Sequence, residues 1–348
     1  MNSLFRAPRR TAVATGAAVL GLLLTACSSS DNGADGGNAE DNGGGGGELL
    51  ASVETAYGTV DIPAPADGEL TVVALGWSDA EAALALGVTP VAVYDWLGFG
   101  EDQKGVGPWA TELFGDETPE VIENVNQSVN YEQIQSMEPD LILNTRSAND
   151  ESQYERLSSI APTVSPPADT PAFATPWETQ TRLVAQALGK EAEGERLVTE
   201  VEERIAAAAA EHPEFEGVGA VTGSKFGDAY GASLPGDARF DLLAQLGFEL
   251  HGPVAELPSS EGFYAPVATE QVEVLDAEVA VLFPIGYTLD ELLADPLIQS
   301  LQVVRDERAV FLDGEGDVSQ AFSAASVLSI PLALDALLPE LASAVAGD

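Results

Sequence analysis

Tyr131-Glu132-Gln133-Ile134-Gln135-Ser136-Met137-Glu138-Pro139-Asp140-Leu141-Ile142-Leu143-Asn144 carries a helix and a strand in one short stretch. Tyr131 to Met137 reads as one or two helical turns, and Pro139 stops them because its ring removes a backbone donor and crowds the preceding turn. Asp140 to Asn144 then runs apolar without alternating, the pattern of a strand covered on both faces. The same alternation recurs upstream. Thr71 to Leu75 reads as a strand, Asp79 to Leu86 as a helix capped by Ser78 or Asp79 and ended by Gly87, and Val91 to Tyr94 as a second strand. Strands alternating with helices across short turns predict an α/β fold with a parallel sheet.

Further along, Trp177 to about Ala210 contains no proline, and Leu183, Val184, Ala187, Leu188, Leu197, Val201 and Ile205 recur at helical spacing. Charge pairs between Glu193 and Arg204 and the alanines 206–210 favour a helix. Pro176 and Pro213 suit its ends, and Gly189 and Gly194 are places where it can kink. Unbroken, it spans roughly 50 Å. The α/β pattern then restarts, with strands at Gly219–Thr222, Val279–Phe283 and Ala309–Leu312. Helices are expected at Arg239–Leu246 and from Leu289, and a last one over about Ala321 to Val345. Two α/β lobes joined by one long α-helix account for this order: residues 49–175, a connecting helix over 176–212, and residues 213–348.

The amino-terminal end reads differently. Arg6, Arg9 and Arg10 precede an apolar run from Ala12 to Leu24, too short for a span of about 20 residues, and the run meets Leu24-Thr25-Ala26-Cys27. This is the layout of an export signal over residues 1–26. Its ending resembles the bacterial lipobox, in which the cysteine takes up lipid. Cys27 is the only cysteine, so a disulfide framework and a cysteine metal cage are both excluded. Residues 27–48 are rich in Ser, Asp, Asn and Gly and read as a flexible tether. The body is therefore expected on the outer face of the cytoplasmic membrane, held by a lipid on Cys27.

Fourteen basic residues face 57 acidic ones, for a net charge of −43. Removing the leader takes three arginines and no acid, leaving 11 against 57. So acidic a body repels phosphates, and nucleic acid is excluded as a partner. With only His212 and His251, a zinc or manganese receptor is disfavoured. The chain has no Gly-x-Ser-x-Gly elbow, no His-Glu-x-x-His and no phosphate loop, so a hydrolase is disfavoured and transport energy must come from a separate ATPase. An extracytoplasmic enzyme built on paired carboxylates is the remaining enzymatic alternative. No repeats favour a scaffold or adhesion module.

Asn130-Tyr131-Glu132-Gln133-Ile134 followed by Met137-Glu138-Pro139-Asp140-Leu141-Ile142-Leu143 resembles the signature of the solute-binding proteins that serve ABC importers of ferric siderophores, haem and cobalamin. Ala268-Thr269-Glu270-Gln271-Val272 followed by Asp276 to Leu282 echoes it in the second half, with Ala277-Glu278 where an aspartate is usual. Gly236-Asp237-Ala238-Arg239-Phe240, leading to Leu246-Gly247-Phe248, is similar to a pattern of the siderophore branch. The resemblance implies two Rossmann-like lobes with a ligand cleft between them. It also implies a ferric siderophore as ligand (cobalamin or haem being the alternative), no cofactor, no direct protein ligand to iron and a monomer, and the single helical connector points to a modest closing motion. Glu132 and Glu270 are the positions through which the family docks on its permease.

Within such a cleft the contacts come from loops at strand ends. Arg146 follows the strand Leu141–Asn144, Lys225 follows the first strand of the second lobe, Arg239 sits in the Arg-Phe motif, and Tyr287 follows Phe283-Pro284. Guanidinium and ammonium donors suit the oxygen-rich groups of a ferric chelate, and aromatic walls suit its rings and apolar backbone. Trp77 and Trp96 are the first aromatic candidates, with Phe99, Trp109, Phe263, Tyr264 and Phe322 behind them. Two or three basic cleft residues would favour an anionic catecholate or carboxylate complex.

Overall fold

A computed structural model describes residues 48–66, 68–123, 129–260 and 262–347. The expected leader, Cys27 and all of the tether but Glu48 lie outside the described residues. An antiparallel hairpin of β1 (Leu49–Thr55) and β2 (Gly58–Pro63) opens this part of the chain.

The first lobe is a five-stranded parallel sheet, with β3 (Val72–Ala74), β4 (Ala92–Asp95), β5 (Glu120–Glu123), β6 (Leu141–Leu143) and β7 (Thr163–Val164) in the order β5-β4-β3-β6-β7. Its helices are α1 (Asp79–Ala85), α2 (Pro108–Thr111), α3 (Tyr131–Ser136), α4 (Glu151–Ser158) and α5 (Trp177–Ala187). Every residue of β3, β4 and β6 is buried, as the unbroken apolar runs require. Successive side chains serve opposite faces. Val72, Leu141 and Leu143 pack under α1, α5 and the β1–β2 hairpin, whereas Val73, Ile142 and Tyr94 pack against Ile134 of α3 and Leu157 of α4.

The connector α6 (Glu191–Glu211) leads to the second lobe. Here β8 (Gly219–Phe226), β9 (Ala229–Ser233), β10 (Glu249–Leu250), β11 (Tyr264–Val267), β12 (Val279–Ile285) and β13 (Ala309–Phe311) form one mixed sheet in the order β11-β9-β8-β12-β13, with β10 beside the start of β8. β8, β12 and β13 are parallel, and β9 and β11 extend the sheet as an antiparallel ribbon. The helices are α7 (Ala238–Gln245), α8 (Gly252–Ala255), α9 (Leu289–Leu293), α10 (Gln302–Arg305), α11 (Asp317–Ala324) and α12 (Ile330–Ala346). Val279, Val281 and Phe283 face α6, α7, α11 and α12, and Ala280 and Leu282 face the opposite layer with Val254, Leu292 and Val303.

Two helices differ from the expectation. The stretch 177–210 is two helices rather than one, because Gly189 takes φ +66° and ends the first of them. α5 then belongs to the first lobe, and α6 alone connects, spanning roughly 30 Å. Gly194, expected as a kink, instead lets the two helices pack closely: a Cβ there would lie 2.3 Å from Cβ of Ala185. The last helix is also divided, since Ala325 adopts a left-handed conformation (φ +43°) between α11 and α12.

Candidate ligand-binding cleft

The strand order of the first lobe reverses at β3: β4 and β5 follow on one side, β6 and β7 on the other. The loops leaving β3 and β6 therefore diverge and open a crevice at the carboxyl ends of those strands, the usual ligand position in such sheets. Trp77 leaves β3 there and Arg146 leaves β6. Facing them from the second lobe are Arg239 on the first turn of α7, Tyr287 after β12 and Glu315 after β13. Together with Trp96, Leu97, Phe173, Asp237, Phe263 and Phe283 these residues line a cleft of 430 Å³.

One wall is a ladder of three rings. Trp77 stacks on Trp96 at 4.3 Å between centroids and 8° between planes, and on Phe173 at 4.2 Å and 22°. Phe173 holds its place with φ +58°, an uncommon conformation for a non-glycine residue. Its N–H donates to the carbonyl of Ser147 at 2.7 Å, and its own carbonyl accepts from Arg146 Nε at 3.2 Å. Trp96 belongs to a turn built on Asp95, whose carboxylate accepts from the N–H groups of Gly98, Phe99 and Gly100.

Behind the ladder lies a buried carboxylate. Asp79 begins α1 yet is no cap: its oxygens accept from the N–H groups of Gly76 (3.1 Å) and Thr145 (2.8 Å), from Gln180 Nε2 (2.6 Å) and from the Thr145 hydroxyl. Burial pushes its carboxyl above the usual range, and these donors pull it back. Gln180 also donates to the Trp77 carbonyl at 2.7 Å, and Trp77 N–H donates to the Arg146 carbonyl at 2.9 Å. Asp79 thus ties the loops carrying Trp77 and Arg146 to each other and to α5. Ser78 is likewise no cap, since its hydroxyl donates across the lobe junction to the Ala324 carbonyl at 2.9 Å.

Arg146 is 5 % exposed. Burial lowers its pKa to about 10, with Asp237, Asp79 and Glu81 opposing and Arg239 assisting the shift. Its Nη1 donates to the Ala324 carbonyl at 2.9 Å, and its guanidinium lies 5.9 Å from the Trp77 ring. Arg239 meets Asp237 bidentately, Nε to Oδ1 at 2.8 Å and Nη2 to Oδ2 at 2.6 Å, above the Phe283 ring. Burial alone would raise the Asp237 carboxyl, but the Arg239 guanidinium beside it holds it below the ordinary range. Next to Arg146, Glu81 spans the junction by accepting from Trp109 Nε1 at 2.8 Å and from the hydroxyl of Ser326. Burial raises its pKa to about 7 against those two bonds and Arg146.

Of the residues expected in the cleft, Trp77, Trp96, Arg146, Arg239 and Tyr287 are brought together there. Lys225 is not. Its ammonium is taken by Asp295 and lies 5.4 Å from the ring of Tyr287, so it braces that ring outside the lining. Phe263 lines the cleft as well. Trp109 turns to Glu81, Phe99 meets Trp109 edge-on, Phe322 is in the core, and Tyr264 stands under Phe226; none of these lines the cleft. Glu132, on the first turn of α3, and Glu270, after β11, are both exposed and away from it. Sequence reasoning missed Phe173 and Asp237. For Phe173 the signal was a single ring in the proline-rich loop 162–176, where a solvated loop has no use for one.

Residues 72–315 match the model of the periplasmic binding protein family. The chain belongs to that family. Among solved structures it is similar to a periplasmic solute-binding protein of Mycobacterium smegmatis, at 31% identity over 85% of this chain and 98% of that one, with a TM-score of 0.72. It shares the fold of PiaA from Streptococcus pneumoniae in complex with ferrichrome (24% identity, 85% and 99% covered, TM-score 0.70). It shares it too with SirA from Staphylococcus aureus complexed with staphyloferrin B (22%, 83% and 98%, 0.67). No curated protein sequence matches the chain.

Proposed function

We propose that this periplasmic binding protein captures a ferric siderophore outside the cytoplasmic membrane and delivers it to an ABC importer, without catalysing a reaction. The observation that carries the reading is the aromatic ladder Trp96–Trp77–Phe173 facing Arg239, Phe263 and Tyr287 across a cleft of 430 Å³. A chelate that wraps its metal presents apolar backbone and a rim of oxygens. Flat rings and guanidinium N–H groups recognise those two surfaces. That proteins of the same fold were solved with ferrichrome and with staphyloferrin B supports the assignment. Haem iron takes an axial His, Cys, Met or Tyr, and the lining offers only Tyr287, whose hydroxyl donates to the Gly227 carbonyl at 2.7 Å.

Iron then travels inside its chelator, with no ligand from the protein. Cys27 would carry the lipid that holds the protein at the membrane, and Glu132 and Glu270 would meet basic residues of the permease, which a separate ATPase drives. The test is a tryptophan-fluorescence titration with ferric siderophores, haem and cobalamin. A siderophore should quench saturably, and Trp77→Ala should reduce that response. Saturable quenching by haem or cobalamin alone would overturn the reading.

A further inference from the structure

Resting on the siderophore reading, we infer that the cleft selects ferric chelates without net negative charge, the tris-hydroxamate class, and discriminates against tris-catecholate and hydroxycarboxylate complexes. Two cationic side chains line it, and each already spends two of its five N–H groups on partners inside the protein. Nε and Nη2 of Arg239 form the planar fork that recognises a carboxylate bidentately, and both donate to Asp237. Nε and Nη1 of Arg146 donate to the carbonyls of Phe173 and Ala324. Nη2 of Arg146 and Nη1 of Arg239 have no hydrogen-bond partner among the described residues and can donate to carbonyl or hydroxamate oxygens, while the charge of Arg239 is already balanced by Asp237.

The charge balance points the same way. The charged lining residues are Arg146, Arg239, Asp237 and Glu315, two of each sign. Lys225, a further cation behind this wall, is neutralised by Asp295. No net positive potential remains to offset the repulsion that a chain of charge −43 exerts on an anion. The remaining sixteen lining residues are uncharged, six of them aromatic, so none adds a charge that would hold an anion. A trianionic complex would shed its hydration in a lining whose charges already sum to zero.

Equilibrium dialysis of the protein against four iron complexes tests this: ferrichrome (neutral hydroxamate), ferrioxamine B (cationic hydroxamate), ferric enterobactin (anionic catecholate) and ferric staphyloferrin B (anionic carboxylate). At low ionic strength at least one hydroxamate should bind about a hundredfold more tightly than either anion, and added salt should narrow the gap. Two variants should raise the relative affinity for the anions. Asp237→Asn unties the Arg239 fork while keeping an acceptor for the Arg239 N–H, and Glu315→Gln removes a rim charge that holds nothing in place. An anionic complex binding as tightly as the better hydroxamate overturns the selectivity and leaves siderophore capture standing. Saturable binding of none of the four overturns siderophore capture and the selectivity together.

Discussion

Trp77 is the middle ring of the ladder, so its removal takes a stacking partner from Trp96 and Phe173 and a contact from the cleft wall. An aromatic contact contributes about 0.5–1.5 kcal/mol beyond the area it buries. Trp77→Ala should therefore weaken ligand binding by about ten- to a hundredfold, read by calorimetry, with the far-ultraviolet circular dichroism unchanged. Asp79 acts one layer behind. Replacing it with asparagine turns an acceptor of four bonds into a group whose amide points donors at donors. A buried mismatch of this kind costs about 1–3 kcal/mol, which a urea midpoint would show. These two residues also mark what the sequence could and could not reveal. Trp77 and Arg146 were legible because each leaves a strand that can be read locally. Asp79 reads as one of two candidate helix caps, because a carboxylate before an apolar helix looks alike whether it bonds its own turn or a loop 66 residues away. Lys225 sat at the right strand end, but the partner that withdraws it, Asp295, lies 70 residues on. Strand ends can be found locally, whereas the partners that free or silence a side chain there are tertiary.

At the scale of elements, the sheet strands were legible wherever burial on both faces left an unbroken apolar run, as in β3, β4, β6 and β12. The short strands β5, β7 and β10 and the ribbon β9–β11 lack such runs and show only through their pairing. The break between α5 and α6 escaped detection because alanine-rich, charge-paired flanks give helical periodicity on both sides of Gly189 and mask the turn. Gly194→Ala should report on that packing. Its new methyl has no room beside Ala185, and overpacking of this sort costs about 1–3 kcal/mol. An unchanged melting temperature would show instead that α5 and α6 part easily. The junction between the lobes is a second element with its own signature. Glu81 of α1 faces Ser326 of the turn between α11 and α12, with Trp109 from α2 and Arg146 from the β6 loop as its other polar neighbours. Because folding raises its pKa from 4.5 to about 7, the folded state binds a proton that the unfolded state releases. Its contribution to stability is full below pH 4.5 and is lost as pH rises through 7, an effect of about 3 kcal/mol. Comparing urea midpoints at pH 5.5 and 8, wild type should lose stability at the higher pH, and Glu81→Gln should remove most of that loss. A variant with the same pH slope as wild type would place the titration elsewhere.

Over the whole molecule, the proposed function asks a chain with 57 acidic residues to meet its permease in one orientation. Fifty-seven acids cannot all guide docking, and most must simply be solvated. Glu132 and Glu270 are exposed on short helical segments of opposite lobes, so under the proposed docking a partner that grips both would sense how the lobes are set. An exposed charge pair contributes only about 0.2–1 kcal/mol, which makes each glutamate weak alone and the two together a constraint on register. In vesicles holding the permease and its ATPase, Glu132→Lys and Glu270→Lys should each lower the binding protein's stimulation of ATP hydrolysis a few-fold. The double reversal should abolish most of it. Chelate affinity in solution should stay unchanged for all three, because neither residue lines the cleft. Raising the salt concentration should weaken stimulation by wild type and partly restore that by the double reversal, since screening removes the charge pairing of the first and the like-charge repulsion of the second. If the double reversal stimulates as wild type does, docking runs through other acids, and the lobe-spanning grip of Glu132 and Glu270 is wrong.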